Sequence, residues 1–541
     1  MTDPAEASRV AGAILSALQG GDRAGAARSA RKAVKRHGRS PEVLFAAGVA
    51  EAADGNRRRG IQHLRRAAEL APDALAIRVN LGTLLLEAGK AEEALSHLLQ
   101  AERLKPGDPG TGLQLGRALL ATGDFASART VLATVTSAVP NAAEAWLARA
   151  DADEALGDRV AAQATLSAAI AAIPAHAELQ FRLGRVCSML AAYADAEQAY
   201  RQAVRIDPGH IAAWRHLGNM LNKIGRFAEA IPVLELAHGF VPDDPGVIYD
   251  LGQALASGGD PQRALNLLDT APDKVLDTPD FRELAAYAAF RARDVEGVLR
   301  RCDAILQRFP ARTSALAYRG MALNELGRRD EAAALFAIDR LVAPSMIEVP
   351  EGFASIEAFN SAFMADLRNH PSMVYSPLNR TLHQGRSTDE LFENPAGTIA
   401  VFKRIVENAV RTYRETHPVD PGHPFLAQRP DRYWIGCWAN IMDRGGFQDV
   451  HFHPPGWLSG VYYPYMPEGL GDGENSFAGW IEFGRAYYML ESDDEPPVTR
   501  VRPRPGMIVL FPSYLGHRTI PVPDEDGRTS VAFDVMPIQT S

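Results

Sequence analysis

The sequence predicts a multidomain α + β protein, with an all-α helical solenoid over residues 1–345 and a β-rich domain with flanking helices over residues 346–541. Two observations predict this fold class. Prolines and glycines recur at a constant step of 34 residues through the first part, and the recurrence stops after Pro344. Beyond that point the composition gains Trp, Tyr, His and Pro in short extended segments, which are typical of strands.

The 34-residue register is carried by two residue types. The prolines at this step are Pro72, Pro106, Pro140, Pro174, Pro208, Pro242, Pro310 and Pro344, with Leu276 in place of one. The glycines at this step are Gly21, Gly55, Gly89, Gly123, Gly157, Gly225, Gly259 and Gly327, with Ala191 in one gap. A helix–turn–helix unit of this length is the tetratricopeptide signature, so we predict about ten helix pairs over residues 4–344.

The repeat around Trp214 shows how each helix pair is expected to pack. Gly218 on its first helix and Ala230 on its second are small, so the two helices can approach closely. Cys187 and Cys302 fall on apolar positions of the same frame. Both thiols are therefore predicted to be buried and unreactive.

The second domain begins with two amphipathic segments and continues with short extended ones. Helices are predicted over Ile356–Asn369 and Thr398–Thr416. Strands are predicted over Tyr433–Met442, Trp457–Met466, Gly479–Phe483, Met507–Phe511 and Thr529–Val535. Turns rich in Gly and Pro separate the strands, which favours an antiparallel sandwich or barrel.

The overall composition indicates where the protein is located and which classes of partner it does not bind. Three cysteines cannot form a disulfide framework, and the N-terminal residues contain no apolar run typical of a signal peptide. No window approaches the roughly 18 apolar residues of a membrane span. A net charge of −9 and a pI near 5.9, without a basic stripe, argue against nucleic acid. We therefore predict a cytoplasmic protein with neither nucleic-acid nor membrane partners.

Three histidines form a candidate metal site. His451 and His453 stand two residues apart in an extended segment, so their side chains project from one face. His517 follows the predicted strand Met507–Phe511. Non-haem Fe(II) usually binds two histidines and one carboxylate, and here a histidine occupies position 453. Either three histidines bind the metal, or Asp449, two residues before His451, contributes a carboxylate.

Arg528 and Ser530 form a candidate anion site on a later strand. A guanidinium beside a hydroxyl suits the end of a dicarboxylate, because two parallel N–H bonds match carboxylate geometry. The alternative is a surface arginine paired with Asp524 or Asp526. His417 and His423, by contrast, lie in a Pro-rich loop and are expected to be exposed.

Three motifs resemble one known family. They are His451-Phe-His-Pro-Pro-Gly-Trp-Leu-Ser-Gly-Val-Tyr-Tyr463, Pro505-Gly-Met-Ile-Val-Leu-Phe-Pro-Ser-Tyr-Leu-Gly-His517 and Arg528-Thr-Ser-Val-Ala-Phe533. Together they resemble the 2-oxoglutarate/Fe(II)-dependent oxygenases that are often joined to tetratricopeptide repeats, over roughly residues 347–541. The resemblance implies a double-stranded β-helix (a jelly-roll or cupin-like fold) and the use of Fe(II), 2-oxoglutarate and O₂.

The same resemblance implies roles for individual residues. The three histidines would bind iron, and Arg528 and Ser530 would bind the distal carboxylate of 2-oxoglutarate. Tyr463 would add a phenolic hydrogen bond to that carboxylate, with Tyr462 as the alternative. The chain departs from the wider superfamily, which has His-x-Asp where this chain has His-x-His. His453 is thus an unusual ligand for such a site.

These observations predict a 2-oxoglutarate- and Fe(II)-dependent dioxygenase that hydroxylates a protein or peptide recruited by the repeat groove. This substrate class rests on analogy with other fusions of repeats and oxygenases. Two alternatives stay open: a repeat scaffold with an inactive barrel, or a three-His cupin-type metalloenzyme that does not use 2-oxoglutarate. The acidic run Glu491–Glu495 is predicted to be an exposed loop.

Overall fold

The chain separates into two compact units, Met1–Met220 and Leu221–Ser541, so the last repeats share a unit with the β-rich domain. The computed structural model describes residues 4–272, 277–375, 382–467, 476–485, 497–521 and 527–538. The predicted loop Glu491–Glu495 and the register position Leu276 lie outside these ranges. The boundary near residue 345 marks where the repeat pattern ends and stays a prediction.

Helices α1–α20 follow one another through the described residues up to 336, in successive pairs of two helices per repeat. This is the helical solenoid of tetratricopeptide repeats that the register predicts. The helices are α1 (Pro4–Gln19), α2 (Arg23–His37), α3 (Pro41–Ala53), α4 (Arg57–Leu70), α5 (Leu75–Glu87), α6 (Ala91–Leu104), α7 (Pro109–Thr122), α8 (Phe125–Ala138), α9 (Ala143–Ala155), α10 (Arg159–Ala172), α11 (Ala177–Met189), α12 (Tyr193–Ile206), α13 (Ile211–Lys223), α14 (Phe227–Phe240), α15 (Pro245–Ser257), α16 (Pro261–Thr270), α17 (Pro279–Arg291), α18 (Val295–Arg308), α19 (Thr313–Glu325) and α20 (Arg329–Phe336).

The turn between the two helices of a repeat explains the glycine register. Gly123 ends α7 in the left-handed conformation, with φ of 85°, which glycine adopts without steric cost. The next residue, Asp124, caps α8 by accepting a hydrogen bond from the Ser127 N–H. Ala191 and Arg293 stand at the same register position and have φ of 57° and 59°. The backbone therefore keeps its shape even where the sequence lacks glycine.

The small residues of the repeats allow close helix packing, and the two cysteines are buried, as the 34-residue register predicts. A Cβ added to Gly82 would lie 2.5 Å from Leu98 Cγ, so the helix pair packs closer than a side chain allows. Cys187 and Cys302 are 1% and 0% exposed. Burial raises the pKa of Cys302 to about 12, so this thiol stays protonated and unreactive. The predicted burial of both cysteines is confirmed.

After the repeats, four helices and ten strands lie within the described residues. The helices are α21 (Ile338–Leu341), α22 (Ile356–Arg368), α23 (Gly397–Thr416) and α24 (Pro424–Ala427). The strands are β1 (Ala343–Met346), β2 (Val374–Tyr375), β3 (Leu382–Ser387), β4 (Tyr433–His451), β5 (Leu458–Tyr465), β6 (Ile481–Phe483), β7 (Thr499–Val501), β8 (Met507–Pro512), β9 (His517–Thr519) and β10 (Thr529–Pro537). Among the helices described, none combines the length and apolar character that a membrane crossing requires.

The strands form one antiparallel sheet in the order β1-β8-β5-β10-β4-β9-β6-β7, with β3 joining β2 to β4. β4 pairs with β10 through Ile441 and then turns to pair with β9 from Gln448 onward. Gly445 lies in this bend with φ of 72°. The long strand therefore closes the sheet towards a barrel, and the predicted jelly-roll-like fold is confirmed.

The two faces of the sheet differ in what covers them. On β5, Tyr462 points outward, where its hydroxyl bonds Asn360 of α22 and its ring packs on Phe363 and Phe402. Its neighbour Tyr463 points inward, since successive side chains alternate along a strand. Helices α22 and α23 therefore fill the outer side, and the polar residues of β5 and β10 line an interior chamber.

Candidate metal centre

The ends of two strands bring the three histidines together. His451 ends β4 and pairs directly across the sheet with His517, which begins β9. Their ring centroids lie 4.3 Å apart, and the His453 ring lies 5.1 Å from the first and 5.2 Å from the second. One ligand nitrogen from each histidine lies within 4.8 Å of the others. The arrangement can hold one metal ion.

Each imidazole is oriented by a hydrogen bond from Nδ1. His451 Nδ1 donates to the Asp449 carbonyl at 2.7 Å, and His517 Nδ1 donates to the Leu515 carbonyl at 3.0 Å. His453 Nδ1 lies 2.8 Å from the Asp534 carboxylate. Because these oxygens accept, a proton lies on each Nδ1, and Nε2 is the nitrogen left to bind a metal. Such outer contacts fix the tautomer that a metal ligand needs.

Burial keeps His451 and His517 neutral. Burial, and then the neighbouring imidazole of His453, lowers the pKa of His451 to about 3. The pKa of His517 is also well below its usual value, first because of burial and then because of the other two histidines. Both rings are therefore uncharged at neutral pH. His453 Nε2 is buried and has no hydrogen-bond partner among the described residues, which points to a ligand at this nitrogen.

The structure does not bring Asp449 into the cluster. Its carboxylate lies 2.6 Å from His383 Nε2, in a pair whose side chains are more than a third exposed. The simple alternation that would place Asp449 beside His451 fails because the β4–β9 register shifts between Gln448 and His451. Asp449 therefore belongs to an exposed pair at the edge of the site.

The carboxylate that meets the cluster is Asp534, which the sequence reasoning missed. Its second oxygen accepts from the Ser459 hydroxyl at 2.6 Å, and Ser513 lies 2.8 Å from Ser459. These two hydrogen bonds hold the Asp534 carboxylate in place beside His453. A signal was present, because Ser530 and Asp534 fall on alternate positions of β10 and so share one face, in step with Arg528 just before the strand.

Arg528 is buried rather than on the surface. It is 1% exposed, and its two terminal nitrogens donate to the Gly479 carbonyl at 2.5 Å and the Thr519 hydroxyl at 2.6 Å. Its Nε has no partner, and no carboxylate forms an ion pair with it among the described residues. Asp524 and Asp526 lie outside those residues. A buried guanidinium without a nearby anion is costly, so the position fits a ligand carboxylate.

Two further donors face the same chamber. The Ser530 hydroxyl is buried and has no hydrogen-bond partner within the described ranges, and the Tyr463 hydroxyl is buried next to Arg528. Arg528 lies beside the Tyr463 ring, 5.4 Å from its centroid. Burial raises the pKa of Tyr463 to about 12, so its hydroxyl keeps the proton and can donate it. The chamber thus places three donors for one anion together.

Trp457, Trp438 and His423 lie in three different surroundings. Trp457 packs in the core and donates to the Phe425 carbonyl at 3.2 Å. Trp438 lines the chamber and stacks on His453, with ring centroids 5.7 Å apart. The expectation that His423 is exposed is wrong: it is 5% exposed and bonds the Leu335 carbonyl, because α20 covers the Pro-rich loop. The site residues missed from sequence are Asp534 and Asn440, whose buried amide nitrogen lacks an acceptor among the described residues.

Family models match both parts of the chain. Tetratricopeptide models match residues 12–56, 45–109, 147–211 and 193–245, and a second model matches residues 85–152 and 221–287. The family model described as "Putative 2OG-Fe(II) oxygenase" matches residues 436–534. The fold and site define a helical-repeat protein with a jelly-roll-like domain. The chain carries tetratricopeptide repeats followed by a domain of that oxygenase family.

Solved structures similar to this chain include several repeat proteins. MamA from Desulfovibrio magneticus RS-1 is 27% identical, and the match covers 31% of this chain and 94% of that chain with a TM-score of 0.29. YrrB, a protein described as having an unusual peptide-binding site, is 18% identical, with 35% and 96% covered and a TM-score of 0.30. A repeat protein from Parabacteroides merdae is 16% identical, with 46% and 98% covered and a TM-score of 0.35. No curated protein matches the chain.

Proposed function

We propose that the protein is a 2-oxoglutarate- and Fe(II)-dependent dioxygenase that hydroxylates a protein or peptide substrate recruited by the repeats. One observation carries the proposal. A single buried chamber is lined by three clustered imidazoles and by a buried arginine without an anionic partner among the described residues. A metal site and a carboxylate site in one chamber suit a co-substrate with two carboxylate ends.

The donor set fits Fe(II). Imidazole nitrogens suit iron, and three of them leave coordination positions for a co-substrate and for O₂. His451, His453 and His517 would hold the ion through their Nε2 atoms. His453 occupies the position where such sites usually have an acid. The Asp534 carboxylate, hydrogen-bonded to His453 Nδ1, would supply a negative charge behind this ligand. When bound, Fe(II), 2-oxoglutarate and O₂ supply an oxidative decarboxylation that yields succinate, CO₂ and a hydroxylated substrate.

The chain's own residues bind and orient the co-substrate. Arg528, Tyr463 and Ser530 would hold the far carboxylate by charge and by hydrogen bonds. Trp438 stacks against His453 and covers one side of the ligand nitrogens. Both arginine and tyrosine are buried, so their hydrogen bonds to an anion would be stronger than in water. The same burial excludes water from the reacting centre.

An anaerobic titration tests the proposal. Addition of Fe(II) and then 2-oxoglutarate to the full chain should produce a metal-to-ligand charge-transfer absorption band, and succinate should form once O₂ is admitted. His517→Ala should lose the band, and His383→Ala, which removes a histidine outside the cluster, should keep it. Absence of the band in the unaltered protein would overturn the proposal and favour a scaffold with an inactive barrel.

A further inference from the structure

A second cavity adjoins the metal centre and has no role in the proposed chemistry itself. It is an open cleft of about 760 Å³, and it shares Trp438, Gln448, His451 and His453 with the lining of the inner chamber. One wall is the sheet. The other wall is formed by α15, α17 and α19, the first helices of three successive repeats. A substrate that reaches the metal from this cleft must therefore touch the repeats.

The helix wall is aromatic and acidic. Tyr249, Tyr287 and Tyr318 each come from a different repeat and line the cleft together with Asp280 and Glu283. No lysine or arginine lines it among the described residues. Aromatic rings beside carboxylates are a common environment for a cationic side chain, because ring faces and carboxylates both attract positive charge.

The acidic charge is only partly neutralised. Arg312 bonds Glu283 and also donates to Asp280 at 2.9 Å, so one cation serves two carboxylates. The Asp280 side chain remains 68% exposed and has acceptor positions left for a second cation. After burial, the charges of Asp280 and Glu283 raise the pKa of Tyr249, which agrees with a net negative wall.

The wall is fixed to the loop that carries a metal ligand. The Thr313 hydroxyl of α19 donates to the Gly456 carbonyl at 2.8 Å, and this bond is buried. Tyr318 of the same helix contacts Phe452 edge to face, with ring centroids 5.8 Å apart. Phe452 and Gly456 flank His453 in sequence. The repeats thus help to shape the mouth of the metal centre itself.

We propose that the substrate is a polypeptide segment with a lysine or arginine close to the oxidised residue, whose cation lies at Asp280 and the tyrosines of the cleft. This inference rests on the proposed function and names its substrate class. The chemistry that recognises such a segment is the acidic, aromatic wall contributed by three repeats. Because three successive repeats contribute to this wall, an extended polypeptide segment suits it.

Peptide pools test the substrate class without knowledge of the natural sequence. Each pool contains short peptides with uncharged random residues around one fixed residue, which is arginine, glutamate or alanine. Retention of each pool is measured on immobilised full chain, loaded anaerobically with Fe(II) and 2-oxoglutarate. We expect the arginine pool to be retained about tenfold better than the glutamate pool, a difference of about 1.4 kcal/mol.

Matched variants locate the effect. Asp280→Lys should abolish the preference for the arginine pool, and Asp280→Asn should reduce it. Asp269→Asn should leave it unchanged, because Asp269 is also an exposed carboxylate paired with an arginine, Arg301, and does not line the cleft. Equal retention of the pools, or a preference that survives Asp280→Lys, would overturn the inference.

The charge-transfer band of the same preparation separates the two proposals. If the band appears but the peptide pools are retained equally, the proposed cationic substrate is wrong and the oxygenase proposal stands. An arginine preference without the band leaves the cleft as a binding surface and removes the oxygenase proposal.

Discussion

The repeat helices and the C-terminal sheet differ in how they bury charge. In the repeats, the buried carboxylate of Glu51 has its own cation, since Arg31 Nε donates to it at 2.6 Å. In the sheet, Arg528 is buried with no carboxylate partner among the described residues, and the Ser530 hydroxyl lacks a partner there as well. The repeat carboxylate thus has its own cation, whereas this part of the sheet gathers unpartnered donors around one chamber that fits a ligand.

This difference indicates where each region is sensitive. The repeats are stabilised by close packing of small and apolar residues, so substitutions there should change the free energy of unfolding. The chamber carries unsatisfied donors at a cost in stability, so substitutions there should change ligand affinity first. Four experiments test this contrast, in decreasing order of expected effect.

Arg528→Gln should separate ligand binding from stability. We expect the Kd for 2-oxoglutarate to rise about a hundredfold, because a charge-assisted carboxylate contact is lost. The melting temperature without 2-oxoglutarate should not fall, since the change removes a buried charge. Calorimetric titration and thermal denaturation measure the two effects. Unchanged 2-oxoglutarate affinity would favour the three-His cupin-type alternative.

Arg500→Gln is the matched control for that variant. Arg500 lies on β7 and bonds Glu482, a carboxylate that also bonds Arg518 and Arg485. Removing one of these three cations should leave the 2-oxoglutarate affinity unaltered.

Asp534→Asn should weaken Fe(II) binding about tenfold or more, because the carboxylate that orients and polarises His453 becomes neutral. Asp449→Asn should change Fe(II) affinity little, since that carboxylate pairs with His383 outside the cluster. Equilibrium dialysis under anaerobic conditions measures both. The reverse result, with Asp449→Asn the weaker binder, would restore Asp449 as the ligand.

Gly82→Ala should destabilise the first compact unit by about 1–3 kcal/mol, because the new Cβ would lie 2.5 Å from Leu98 Cγ. Gly12→Ala is the control: it lies inside α1 with nothing within 4 Å of its added Cβ. There the change should stabilise by roughly 0.5–1 kcal/mol through helix propensity. Denaturant unfolding measures both, and Fe(II) binding should be unaffected by either.

Ala191→Gly should give the smallest effect, a gain of about 0.5 kcal/mol. Alanine is strained at φ of 57°, and glycine relieves this strain while losing more entropy on folding. Gly157→Ala, at φ of 77° in the corresponding turn, should destabilise instead. Equal effects of the two changes in denaturant unfolding would contradict the shared turn geometry.

Much of the repeat fold follows from sequence because its determinants are local. At Gly123 and Asp124, for example, a left-handed glycine and a capping aspartate define the turn within a few residues. The sheet was predicted less completely. The strands β1, β2, β3, β7 and β9 were not predicted, and β4 runs beyond Met442 to His451. Strands of two to six residues carry too little periodicity to be recognised without their partners.

The residue types of the candidate site could be predicted from sequence, but strand pairing determines which of them lie together. The sequence by itself determined that three histidines, an arginine and a helical repeat array belong to this protein. Only the tertiary structure decided which carboxylate meets the cluster. A register shift in β4 turns Asp449 away, and β10 brings Asp534 to His453 across 81 positions of chain. Strand register and bulges depend on partners distant in sequence, whereas a helical turn depends on its neighbours.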